Sequence, residues 1–273
     1  MKHVRALATE PPLLEQYRAT YHDEELRPAN EATATWNRFR DEQIAYAELR
    51  KKLTEAQQGL CIYCEQRLID SNGEHIFGDY QIEHVQAKSG AVGRVLDWHN
   101  LALACGGGTC KFHADPTRAY PTGPNASCGQ TKDSSDLPQG GDPRTFPLLD
   151  ALVEVAIDGK LLVNAPNCAT AGVTEESIQA TIALLNLNCE RLRKARQDRR
   201  DNVNKWLVPL LQELLNLANH LDSVERLQML NLTIAGRLQP DTSGHLKAFW
   251  TTERCGFGPD AETWIANNQK LFI

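Results

Sequence analysis

The sequence predicts an α+β protein in three segments: helical over 1–58, a cysteine-clasped core of turns and short strands over 59–135, and a hairpin with a mainly helical lobe over 136–273. Three observations carry that division. Apolar residues recur at helical spacing before Gly59, five of the eight cysteines fall between 61 and 128, and the texture after Phe146 turns first alternating and then leucine-rich.

The first element is "WNRFRDEQIAYAELRKKLTEAQQ", residues 36–58. Trp36, Phe39, Ile44, Leu49 and Leu53 stand at roughly helical spacing with acids and bases between them, which predicts one amphipathic helix ending at Gly59. Residues 106–147 are rich in Gly and Pro and read as loop, long enough to expect a function for it. "LVEVAIDGKLLVNA" sets Asp158-Gly159 between two apolar runs and predicts a hairpin. Thr174 is the candidate N-cap of the helix that follows, with Glu175 and Glu176 in its favourable first turn. Beyond a basic helix, Val203, Trp206, Leu207, Leu210, Leu211, Leu214 and Leu221 form a broad apolar face, read as core, with a kink expected at Pro209.

Composition narrows the function classes. With 41% hydrophobic and 23% charged residues the chain reads as an ordinary globular protein rather than a disordered one. No apolar run is long enough for a secretory signal or a membrane span, so the expected location is cytoplasmic. In that compartment thiols stay reduced, which makes metal binding the leading use of the clustered cysteines and leaves Cys168, Cys189 and Cys255 as small buried hydrophobes. The net charge of −6 does not favour a polyanion partner for the chain as a whole. Charge is local, however. "RLRKARQDRRDNVNK", 191–205, holds seven basic residues, among them Arg193, Arg196 and Arg200, against two acidic ones. That stretch is either a track for a phosphate backbone or a solvated helix face.

Cys61-Ile62-Tyr63-Cys64 has the two-residue gap that lets two thiolates hold one tetrahedral Zn²⁺. Cys105, after the strand-like "LALA", is the natural third ligand. For the fourth, Cys128 is preferred to Cys110, because it heads "CGQTK", the start of a short helix carrying Lys132. Four thiolates leave no water position, so such a zinc folds the region and does no chemistry.

Between the halves of this clasp lie Glu83-His84 in "QIEHVQAKSG" and His99-Asn100 in "HNLALAC". The order of cysteine pair, acid-His pair, Asn-Leu pair and final cysteine with a lysine four residues on resembles the HNH (ββα-metal) endonuclease superfamily. "LTEAQQGLCIYCEQRL" before the site and "TIALLNLNCERLRKAR" after it are similar to PtuB-like HNH proteins of Septu and retron-associated anti-phage systems, over roughly 36–200. The resemblance implies a zinc-clasped ββα-metal core and hydrolysis of phosphodiester bonds in DNA or RNA. It gives His84 as general base, Glu83 as a ligand of a catalytic Mg²⁺ or Mn²⁺, Asn100 as the tie of the loop that aims His84, and Lys132 as a phosphate contact. It also implies an accessory role beside a PtuA-like ATPase, in some systems with a retron reverse transcriptase and its multicopy DNA. Two adjacent strand residues point to opposite faces, so a strand end or bulge is required for Glu83 and His84 to share one site.

One position departs from the pattern. Where the family commonly places Asn or His directly after the last cysteine, this chain has Gly129, for which Gln130, Asp133 or His113 are the substitutes within reach. The rival reading from another class is a catalytically degenerate zinc module that binds nucleic acid or docks a partner.

Overall fold

The N-terminal helices are arranged by which side chains must reach the core. The computed structural model describes residues 1–110, 124–216 and 222–272. It opens with helices α1 (Pro12–Thr20), α2 (His22–Glu25), α3 (Ala32–Asp41) and α4 (Gln43–Ala56). The single helix expected over 36–58 is therefore two, parted at Glu42, whose ψ of 71° leaves the helical region. At about 100° per residue, Trp36 and Leu49 on one unbroken helix would point about 140° apart. The break lets Trp36, Phe39, Leu49 and Leu53 all bury in the same core. Ile44, expected on that apolar face, is 78% exposed.

After α4 the chain turns tightly through Cys61 to Cys64, where the Cys61 amide donates to the Gln66 carbonyl (2.9 Å) and Leu60 bridges Arg67. Strand β1 (Gln81–His84) then pairs antiparallel with β2 (Leu101–Ala104), His84 opposite Leu101 and Gln81 opposite Ala104. All four residues of β2 are buried. Its outer edge is closed by a side chain: Gln57 donates to the Leu103 carbonyl (2.7 Å) and accepts from the Leu103 amide (2.6 Å), as a neighbouring strand would. The one-turn helix α5 (Gly129–Lys132) follows Cys128, as the sequence indicated.

The hairpin forms at the expected place, β3 (Val153–Val155) pairing antiparallel with β4 (Leu161–Val163). Gly159 is required in its turn. Its φ is +76°, and a Cβ there would lie 1.9 Å from the Arg193 carbonyl oxygen. Helices α6 (Ala165–Ala171) and α7 (Glu175–Leu184) come next, and Thr174 caps α7 by accepting from the Ser177 amide. The basic and leucine-rich stretches are one helix, α8 (Glu190–Asn216), with Pro209 inside it. It is followed by α9 (Ser223–Leu238), α10 (Trp250–Phe257) and α11 (Pro259–Asn267).

Two apolar clusters hold these elements together. The larger draws on all three sequence segments, from Leu14 and Phe39 through Tyr63, Ile82 and Leu103 to Leu152, Ile178 and Leu192. The smaller joins Leu60 to Val203, Leu207, Ile234, Trp250, Trp264 and Phe272. Each fully buried side chain of this kind contributes about 1.5–3 kcal/mol. Cys168 and Cys189 lie buried in the larger cluster, while Cys255 packs half-buried beside it. The apolar face expected on α8 is only partly core. Val203 and Leu207 are buried, but Leu211 is 41% exposed, and Leu221 lies outside the described residues. No helix among the described residues is long and apolar enough to cross a membrane.

Candidate active site

The metal centre is built from the knuckle turn, the end of β2 and the start of α5. Cys61, Cys64, Cys105 and Cys128 are all buried, with their sulfurs within 4.8 Å of one another. Cys64 and Cys105 stand 3.6 Å apart, Cys105 and Cys128 3.7 Å. Zinc–sulfur bonds of about 2.3 Å put tetrahedral sulfurs about 3.8 Å apart, so the four fit a structural Zn²⁺. Cys128 is the fourth member. Cys110 is buried elsewhere, its thiol donating to the Phe77 carbonyl at 3.5 Å.

The electrostatics of the cluster call for a cation. Hydrogen bonds from Cys105 and Cys128 draw the Cys64 thiol well below its ordinary range, whereas burial pushes Cys128 well above it. Four thiolates this close and this buried repel one another unless a divalent ion offsets their charge. Arg191, buried beside the cluster and bonded to Ser127 Oγ at 2.5 Å, adds a fixed positive charge.

β1 runs out of this clasp and ends at His84, the strand end that two adjacent site residues require. Glu83 and His84 both line a cavity of about 330 Å³, with Trp36, Gln81, Lys88 and Asp133. The His84 ring is 8% exposed and lies edge-on to Trp36, ring centres 4.6 Å apart. Its Nε2 sits 2.9 Å from the Val95 carbonyl. A carbonyl only accepts, so Nε2 carries the proton and Nδ1 presents its lone pair. Burial lowers the His84 pKa to about 4, against the opposing carbonyl contact, which keeps the ring neutral.

Asn100 fixes the loop that supplies this carbonyl. Its Nδ2 donates to the Gln86 and Arg94 carbonyls (2.9 and 3.2 Å), and its Oδ1 accepts from the Gln86 amide at 2.7 Å. Both ends of the segment between His84 and Val95 are thereby pinned. His99, its neighbour, is exposed, stacked on Trp98 and bonded to Asp97.

Glu83 is held by three neighbours: Lys132 Nζ at 3.1 Å, Tyr63 Oη at 3.4 Å and Gln81 Nε2 at 3.3 Å. Burial raises its pKa, and the Lys132 charge works against that rise. Lys132 differs here from its expected part. It is 1% exposed and spends its ammonium on Glu83 and the Ser135 carbonyl, so it braces the carboxylate and does not face a phosphate. Gly129 backs onto the same carboxylate, where a Cβ would lie 2.5 Å from Glu83 Oε2. A side chain at 129 would require the Gln81 amide and the Glu83 carboxylate to shift. Of the possible substitutes Asp133 lines the cavity, Gln130 bonds Gln81 at 3.3 Å, and His113 lies outside the described residues.

The basic stretch corrects a second expectation. Arg196 is buried and donates to the Gly159 and Leu187 carbonyls, Arg200 donates to the Val155 carbonyl, and Arg193 pairs with Asp158. These guanidiniums pin the β3–β4 hairpin to α8 and form no open phosphate track. The cavity's available cation is instead Lys88, half-buried and without an ion pair among the described residues. Sequence reasoning passed over it, although its place four residues past His84 was a usable signal.

Fold and site define a thiol-clasped ββ-helix unit that presents an acid and a neutral histidine to one cavity. Over 195 residues the chain is 31% identical to an Escherichia coli protein named "Retron Ec83 putative HNH endonuclease", a match covering 62% of this chain and 71% of that protein. The chain belongs to the HNH family that this relative represents. No family model matches it.

Proposed function

We propose that the chain is a metal-dependent HNH endonuclease that hydrolyses phosphodiester bonds of DNA or RNA. One observation carries the reading: a neutral imidazole, its Nε2 spent on the Val95 carbonyl, lines one cavity together with a braced carboxylate. His84 Nδ1 takes the proton of a water in line with the scissile bond. As the new P–O bond forms, the bond to the 3′ oxygen breaks, and the departing oxygen gains a proton from solvent. The substrate's own negative charge raises the His84 pKa on binding, which strengthens the base where it is needed. Lys88 meets a flanking phosphate. Glu83 would be the residue to hold a Mg²⁺ or Mn²⁺ at this site, its Lys132 partner giving way to the ion, and such an ion would supply positive charge beside the reacting phosphate.

The relative's name supports a retron setting, and the earlier resemblance extends it to a Septu-type, PtuB-like effector working with a PtuA-like ATPase and, in some systems, a reverse transcriptase and its multicopy DNA. A non-catalytic zinc module is the second reading, favoured by one feature, the pairing of Glu83 with Lys132. His84→Ala separates the two. Cleavage of plasmid, phage DNA or total RNA by the full chain with its partner should fall by about 10²- to 10⁴-fold, with zinc content unchanged. Activity equal to the parent's, or no cleavage by the parent under any of these conditions, would leave the module.

A further inference from the structure

A second groove adjoins the catalytic cavity, of about 520 Å³, formed where α4 faces the turn that carries Phe77. Arg40, Tyr46, Arg50, Phe77 and Tyr80 line it, and no carboxylate does, in a chain whose net charge is −6. Gln81 lines both spaces, so groove and cavity share a wall. Arg40 is exposed and makes no ion pair among the described residues. Arg50 lies over the Tyr80 ring at 5.0 Å and donates to its hydroxyl at 2.6 Å, so it stands braced at the groove's side.

Phe77 is the unusual member. It is 80% exposed, yet its backbone is held tightly. Cys110 Sγ donates to its carbonyl, the Ile76 amide bonds the Leu68 carbonyl at 2.9 Å, and Asp79, two residues on, is buried and accepts from the Gly106 amide. A phenyl ring displayed on a pinned turn beside two arginines offers a flat apolar face next to positive charge. Stacked bases inside a duplex have no free face to put against it, whereas an unpaired base does. β1, the four residues from Gln81 to His84, spans roughly 10 Å and leads from the groove to His84.

We propose that this groove binds an unpaired stretch of nucleic acid, one base stacking on Phe77 and its flanking phosphates pairing with Arg40 and Arg50, and so leads the strand to His84. This rests on the nuclease reading for its direction but is tested by binding alone. The test uses the full-length His84→Ala chain and fluorescence anisotropy with three probes: a mixed-sequence single-stranded DNA, the same sequence as RNA, and the annealed DNA duplex. Adding Phe77→Ala should weaken binding of the preferred single strand by roughly 5- to 150-fold. Duplex binding should not change. Phe77→Trp should restore single-strand affinity, and Arg40→Gln should lower the slope of log affinity against log salt by roughly 0.7. Whichever of DNA and RNA shows the larger Phe77 effect names the polymer. The thermal midpoint should not move, since Phe77 is a surface side chain.

Equal loss on duplex and single strand, or none on either, overturns the groove. With His84 restored, a chain that binds single strands through Phe77 yet cleaves nothing keeps the groove and removes the nuclease. A chain that cleaves unpaired substrate unchanged by Phe77→Ala keeps the nuclease and removes the groove.

Discussion

Two buried polar clusters share the end of one strand pair and behave in opposite ways. The four thiols converge within 4.8 Å of one another around room for a single ion, while Glu83, His84 and Lys88 line an open cavity of about 330 Å³. Polar groups that close on themselves are satisfied by one another and by an ion, which makes the clasp a folding device. Polar groups that leave an atom unspent, such as His84 Nδ1, are poised for a substrate. Burial alone therefore does not separate structure from chemistry; the unspent atom does.

The largest effect should come from breaking the clasp. Cys61→Ser should remove the zinc and with it the fold of residues about 59–135, because apparent zinc binding of about 10–16 kcal/mol is folding free energy in such sites. Metal analysis and a circular dichroism melt check this, and a zinc-free variant that melts like the parent would refute it.

Next is Lys132→Met, which leaves the Glu83 carboxylate buried and unpaired. A loss of about 3–5 kcal/mol in denaturant unfolding is expected, together with lower cleavage. If Lys132 instead faced a phosphate, stability would hold and only substrate affinity would drop.

The pH dependence sharpens the open cluster. The His84 pKa is about 4 in the fold against 6.5 ordinarily, so the fold favours the neutral ring. Its contribution is complete above pH 6.5 and is lost as pH falls through 4, about 3 kcal/mol in all. Unfolding at pH 7 and at pH 4.5 should therefore show a steeper acid loss for the parent than for His84→Ala; matching losses would mean the ring is not shielded.

The smallest effect is that of Asn100→Ala, about 1–3 kcal/mol from the unpaired Gln86 amide and the carbonyls it served. The same variant should slow cleavage through the displaced Val95 carbonyl, a loss that Asn100→Asp should repair only in part, since a carboxylate accepts but does not donate.

Much of this was legible in the residues. The hairpin at Asp158-Gly159, the Thr174 cap, the short helix after Cys128 and the choice of Cys128 over Cys110 all follow from local turn and capping chemistry, which acts over a few residues. The break at Glu42 was not, because periodicity tells which residues are apolar and not whether one straight axis can present them all. The basic run on α8 misled for a similar reason. Whether Arg196 meets a phosphate or the Gly159 carbonyl depends on what packs over the helix.

By itself the sequence determined three of the four thiols, a preference for Cys128 as the fourth, and the site's residue types, since thiolate spacing and the acid-histidine pair are chemical facts of the chain. Only the tertiary structure decided how those residues are spent. It turned Lys132 inward onto Glu83, fixed the His84 tautomer through Val95, and left Lys88 facing the cavity. The reason is physical: a side chain's chemistry is local, but its pKa, its tautomer and its partner are set by neighbours brought from distant parts of the chain.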